Sequence, residues 1–195
     1  MKKLKYTESK PDTAIRLDLG AGKGRMTPDG FTPVDVAPWK GVQVVDLRKP
    51  WPWKANSVDE VNCAMLVHYL TAAERVHFFN ELYRVLKPGP ITIDDGASKG
   101  RVAIVTPMWS SHRAYIDIQA QWPPVSEGFF MSLNKAWREA QNSVDHSGLK
   151  CDFDAVVGYG VHPEIITRHE EFRRDAVNWY KEAAQDLHAT LTKRG

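Results

Sequence analysis

Cysteine is scarce in this chain. Only Cys63 and Cys151 occur among the 195 residues, and neither belongs to a C-x-x-C pair. Their separation and apolar surroundings favour buried free thiols over a bridge, which sets a reducing, cytoplasmic compartment as the expectation. Long apolar runs are missing as well. None approaches the ~18 residues that a membrane-spanning helix needs. The start, MKKLKYTESK, turns polar where a signal peptide would become apolar. Charge of one sign is also lacking: formal net charge is +2 and the pI near 8.5, without the dense basic patch of a dedicated nucleic-acid binder. The seven histidines are scattered without ligand spacing, so no metal centre is expected.

What is present is ordinary globular material. A content of 43% hydrophobic and 26% charged residues argues against disorder, and 195 residues suffice for one well-buried core but not for two. Residues 1–13 read as a polar lead-in and 14–195 as a single domain. Strands are predicted at 14–19, 31–36, 42–47, 58–66, 101–106, 151–161 and 186–193. Val76, Phe79, Leu82, Tyr83 and Leu86 recur at helical spacing, with Thr71 and Glu74 as a capping box and Lys87-Pro88-Gly89 as a stop. Further helices are predicted at 131–141 and 168–184. Residues 107–127 read as irregular and rich in aromatics. Strands interleaved with helices imply an α/β layered, mostly parallel sheet. Only RMTPDG separates Gly24 from Phe31, so the first crossover helix is expected to be shortened or missing.

The chemistry gathers near the front. AIRLDL runs into Gly20, Gly22 and Gly24, and the next two strands end at or near Asp35 and Asp46, as the first does at Asp18. In open parallel sheets, ligands bind outside the carboxyl ends of the strands, where glycines let the backbone turn and approach them. A dinucleotide site would want G-x-G-x-x-G opening a real helix that holds a pyrophosphate. Here the third glycine comes one residue early and the helix is absent, which suits a nucleoside cofactor without phosphate.

At this point LDLGAGKG, VDV, DLRKPWPWKANSVDEV and ELYRVLKPG resemble successive motifs of class I S-adenosylmethionine (SAM)-dependent methyltransferases. WSSHRAY, WPPVSE, CDFDAVVGYG and DLHATLTKR extend the resemblance to a compact subgroup with a shortened first helix, often met in bacteriophage genomes. The resemblance implies a Rossmann-like seven-stranded sheet, mostly parallel, with an antiparallel C-terminal strand. SAM is the implied cofactor, without a metal. Asp18, Gly20, Ala21, Gly22 and Lys23 would line its methionine and ribose end, and Asp35 with Val36 would meet the ribose. Asp46 and Leu47 would meet the adenine, and Ala64 and Met65 the methyl group. With the helix gone, Lys23 or Arg25 is expected to balance the methionine carboxylate.

The chain also departs from the pattern. His68-Tyr69 stands where many relatives carry Glu-His, Ala120 where they carry histidine, and PITIDDGASKG is inserted after LKPG. A proton acceptor is needed only if the methyl acceptor must lose a proton, and His68, His112 and Asp117 are the candidates. Tyr69, Trp109, Arg113, Tyr115 and Trp122 are candidates for the acceptor pocket, with a lid over about 107–150. Ala64-Met65-Leu66-Val67 lacks the Asp/Asn-Pro-Pro-aromatic motif of amino-methylating DNA enzymes, and neither cysteine follows a proline as cytosine C5 chemistry requires. The expected partner is therefore an unidentified methyl acceptor, with neither a membrane nor nucleic acid indicated. A non-catalytic SAM-binding module remains the alternative.

Overall fold

Leu17, Leu19, Val34, Val61, Cys63, Val102 and Ile104 are all essentially buried, and the strand registers put them on one face of the sheet, while Asn62, Ala103 and Val105, which alternate with them on the other face, are only half-buried. The computed structural model describes residues 14–89, 100–141 and 148–194. The lead-in 1–13, nearly all of the insertion at 90–100 and part of the lid region lie outside the described residues.

Seven strands form one sheet: β1 (Arg16–Leu19), β2 (Thr32–Asp35), β3 (Gln43–Val44), β4 (Glu60–Ala64), β5 (Arg101–Pro107), β6 (Phe153–Val161) and β7 (Ala184–Lys193). Their order is β3-β2-β1-β4-β5-β7-β6. Strands β1 to β5 pair in parallel, while β7 runs antiparallel to both β5 and β6. The Rossmann-like α/β sheet with an antiparallel C-terminal strand is thus present. Strand order reverses between β1 and β4, which makes their carboxyl ends the place for a ligand.

The loss of crossover helices goes further than expected. Among the described residues, β1–β2, β2–β3 and β3–β4 are all joined by loops. Trp51, in the third of these loops, supplies part of the missing apolar cover. It is buried, packs edge-on against Phe78 and Trp53, and donates from Nε1 to the Leu47 carbonyl. Arg84 holds this loop by donating to the carbonyls of Trp51 and Trp53.

Helix α1 (Ala72–Val85) starts at the expected capping box and lays Phe78, Phe79, Leu82 and Val85 into the core. Full burial of each such side chain stabilises by roughly 1.5–3 kcal/mol. Other elements differ from expectation. The strand expected at 42–47 is paired only at Gln43–Val44, and that expected at 58–66 ends at Ala64 because Met65 turns with φ +56°. The helix expected at 131–141 is two pieces, α2 (Glu127–Met131) and α3 (Lys135–Ala140). Leu133, fully buried between them, forces the break, and its carbonyl accepts from the Phe153 amide to start β6. The helix expected at 168–184 is α5 (Glu170–Trp179), preceded by the short α4 (Pro163–Ile166), and stops before Glu182, whose φ is +67°. The segment 107–127 contains a 3-10 turn at His112–Ala114.

Candidate functional site

The glycine loop is fastened to β2. Both the Gly20 and Ala21 amides donate to the Val34 carbonyl, at 2.9 and 3.0 Å. Gly20 turns with φ +74°, and a Cβ there would lie 2.9 Å from Leu66 Cβ, so only glycine fits. Gly22, at φ +56°, has nothing within 4 Å on its Cβ side and leaves backbone open to an approaching ligand.

Two of the three aspartates converge on this loop. Asp35 accepts from the Gly22 amide through Oδ2 and from the Ala37 amide through Oδ1, both at 2.9 Å. Asp18 is buried and accepts from Asn62 Nδ2 at 2.6 Å and from Thr27 Oγ1 at 2.7 Å. Asn62 and Thr27 were missed by sequence reasoning. Asn62 had a sequence signal only in its place two residues before Ala64 on the expected fourth strand; that it stands opposite Asp18 comes from the β1–β4 register. A carboxylate has about four lone-pair sites, so both aspartates keep acceptor capacity beyond these bonds. Asp46 stands apart. It lies past the end of β3 in a bidentate pair with Arg48 at 2.8 and 3.1 Å, and that pairing holds its carboxyl down at about 2. The Leu47 side chain is in the core, leaving only its backbone for a ligand.

Around these tips Ala64 and Val36 are exposed and Met65 is half-buried. Lys23 holds its ammonium 5.0 Å from the centroid of the Trp39 ring, and Arg25 is exposed.

A second cluster lies at the carboxyl ends of β4 and β5. Met65, His68, Tyr69, His112, Arg113, Ile116 and Asp117 line one cleft of about 540 Å³ together with Pro107 and Gln185. All three candidate proton acceptors are therefore gathered beside the strand tip proposed for the methyl group. They differ in character. His68 is only 6% exposed and its Nδ1 has no partner; burial pushes its pKa down and Arg75 adds to this, against the pull of Asp117. The Gln119 amide and the Tyr69 hydroxyl, 2.8 Å away, hold the Asp117 carboxyl below the usual range and make it a weak base. His112 is well exposed and donates or accepts at Nδ1 with Glu182, 2.8 Å away.

Arg113 pairs with Asp186, whose own carboxyl is raised by burial in spite of that partner. Buried Arg75 fixes the loop beyond, donating to the carbonyls of Val67, Gln121 and Pro123. The remaining pocket candidates are dispersed. Trp109 and Tyr115 line a neighbouring cleft of about 480 Å³ with Trp179, Tyr180 and Lys181. Trp122 lines a third with Tyr115 and Asp117, so Tyr115 and Asp117 link the three clefts. Glu182 and Arg75 carried no motif, and Asp186, although it opens DLHATLTKR, was not singled out from the sequence. Among the described residues no group of three His, Cys, Asp or Glu is placed to hold a metal ion, and no helix is long and apolar enough to cross a membrane.

Residues 17–93 match the family model described as a methyltransferase domain. This stretch contains the glycine loop, Asp18, Asp35, Asp46 and the tip of β4. A SAM-dependent methyltransferase from Archaeoglobus fulgidus superposes with a TM-score of 0.61 at 16% identity, over 93% of this chain and 87% of that one. The geranyl diphosphate C-methyltransferase of Streptomyces coelicolor, solved with S-adenosylhomocysteine, gives 0.51 at 12% identity over 93% and 71%. The [4+2]-cyclase SpnF gives 0.51 at 14% identity over 92% and 75%. No curated protein sequence matches the chain. The fold is that of SAM-dependent methyltransferases. Since a cyclase shares it, the reaction must be argued from the site.

Proposed function

We propose that the protein binds SAM at the tips of β1, β2 and β4 and transfers its methyl group to an acceptor held in the Met65–His68–His112 cleft. The observation that carries this reading is the convergence at one sheet edge of open Gly22 backbone, the Asp35 carboxylate and the exposed tip at Ala64, all within the segment that matches a methyltransferase domain. These features fit a nucleoside cofactor. The loop offers backbone where phosphate is absent, and Asp35 has spare lone pairs for ribose hydroxyls. SAM supplies a methyl group that is already activated. The chain's own task is orientation, which can be worth ~7–11 kcal/mol of the barrier.

In this reading Asp18 acts mainly by holding the loop through Thr27 and Asn62, and Lys23 reaches the methionine carboxylate by leaving the Trp39 ring. Asp46 and Leu47 border the adenine, the former as half of its pair with Arg48. Tyr69 and Arg113 line the acceptor cleft, with Trp109, Tyr115 and Trp122 extending it toward larger acceptors. The missing crossover helices and the later motifs favour the compact subgroup often met in bacteriophage genomes, acting in the cytoplasm.

Isothermal titration with SAM, S-adenosylhomocysteine and NAD tests the cofactor. Binding of the first two and not the third is expected, with affinity falling at least tenfold in Asp35→Ala; tight binding of NAD alone would overturn the reading. A second reading, a non-catalytic SAM-binding module, is favoured by the burial of His68 where relatives carry a different pair. Labelled-methyl transfer into a cell lysate separates the two, because only an enzyme incorporates label above the Asp35→Ala background.

A further inference from the structure

Glu182 is the most heavily used carboxylate near the acceptor cleft, and it lies 70 residues from the histidine it serves. Its Oε1 accepts from the His112 amide at 2.6 Å, and its Oε2 accepts from Ser111 Oγ at 2.9 Å and lies 2.8 Å from His112 Nδ1. The residue sits at φ +67°, a left-handed conformation that a glutamate rarely adopts. Arg113, the next residue along, is tied to Asp186, so the 3-10 turn is clipped at two points, to Glu182 just before β7 and to Asp186 within it.

Burial pushes the Glu182 carboxyl up, but the bonds from the His112 amide, the His112 ring and Ser111 outweigh it and hold it below the usual glutamate range. An ionised carboxylate offers only lone pairs. The hydrogen shared with His112 must then sit on Nδ1, and the lone pair of the neutral ring is left on Nε2. His112 lines the cleft with Met65, while the other two candidates are a buried histidine and a carboxylate that binds protons weakly.

We infer that Glu182 is a positioning residue that selects the Nδ1–H tautomer of His112 and so makes Nε2 the proton acceptor for methyl transfer. The inference rests on the methyltransferase reading above. As the acceptor's heteroatom forms its bond to the methyl carbon, the carbon–sulfur bond breaks with its electron pair left on sulfur. The heteroatom's proton passes to His112 Nε2 and is later released to water. Orientation of a base by a fixed third group is a recurring device in nucleophilic and acyl-transfer sites.

Long-range ¹⁵N–¹H correlation of the histidine rings tests this directly, with His112→Gln used to assign the signals. In the wild-type protein the neutral His112 ring is expected to carry its hydrogen on Nδ1; in Glu182→Gln it moves to Nε2. The same substitution should leave the SAM dissociation constant within about twofold and lower label incorporation into a lysate by ~10²-fold or more, the usual scale of general-base catalysis. Glu182→Asp should restore part of the Nδ1–H population. Wild-type His112 protonated on Nε2, or Glu182→Gln transferring at the wild-type rate, overturns the proposal. So does a wild-type protein that binds SAM without transferring label. Failure of SAM to bind at all sinks the underlying functional reading instead, while the ring spectra still decide whether Glu182 sets the tautomer.

Discussion

Neighbouring residues of one type do different jobs in this site. Gly20 and Gly22 both adopt positive φ, yet a Cβ at 20 would strike Leu66 while one at 22 would enter open space. Gly20→Ala should therefore be destabilised by ~1–2 kcal/mol of left-handed strain plus the cost of moving Leu66. At ~2–4 °C per kcal/mol for a chain of this size, the strain alone lowers its Tm by ~2–8 °C, and the clash with Leu66 lowers it further. Gly22→Ala meets only the backbone strain and should lose less Tm than Gly20→Ala, but on the proposed reading it should lose SAM affinity because the added methyl would stand where the ligand approaches. Thermal melts and calorimetry on the pair check this. Equal Tm losses with equal affinities would show that the space beside Gly22 is not the binding cleft. Both glycines could be named from the sequence, but the difference between them could not, since Leu66 reaches the loop only through the β1–β4 pairing.

Signals that are self-contained within an element are legible in the sequence. The Thr71–Glu74 box is one: the Glu74 amide donates to Thr71 Oγ1 at 3.3 Å and Glu74 Oε2 accepts from the Thr71 amide at 2.8 Å. Thr71→Ala should cost about 1 kcal/mol, read as a fall in Tm of ~2–4 °C, with no change in SAM affinity because α1 begins beyond the strand tip. An unchanged Tm would mean that packing of Phe78 and Phe79 sets the start of the helix by itself. Signals that depend on a distant neighbour are not legible there. The break at Leu133 occurs because that side chain fills the core and its carbonyl pairs with β6, so periodicity across 131–141 runs through a bend that it cannot register. The end of α5 is similar: the chain leaves the helix at Tyr180, which is extended, and then brings Glu182 to His112 and Ser111, partners some 70 residues away that periodicity across 168–184 cannot register.

At the scale of the whole molecule, stability carries a pH signature from groups the fold buries. His68 takes its proton less readily in the native state than in the unfolded chain, where histidine titrates near 6.5. Its contribution is present above that value and is lost as pH falls through the lower native pKa, since the unfolded state then binds the extra proton. Asp186, raised by burial, works in the opposite sense, favouring the native state as pH falls. The urea midpoint of wild type should therefore fall from pH 7 to pH 5 more steeply than that of His68→Gln, in which Asp186, the other carboxylates and the other six histidines remain. Parallel curves would place His68 in water rather than beneath Tyr69 and Arg75. The sequence by itself determined the sheet class, the helix-free first crossover, the glycine loop and the aspartates at the strand tips, because each is written in short-range spacing and in residue types with few conformational alternatives. Only the tertiary structure decided that Asp46 stands apart with Arg48, that the aromatic residues divide among three linked clefts, and that Glu182 and Asp186 grip the histidine turn. Those outcomes depend on which strands lie side by side, and the energy of a buried charge depends on neighbours that the chain brings together only when it folds.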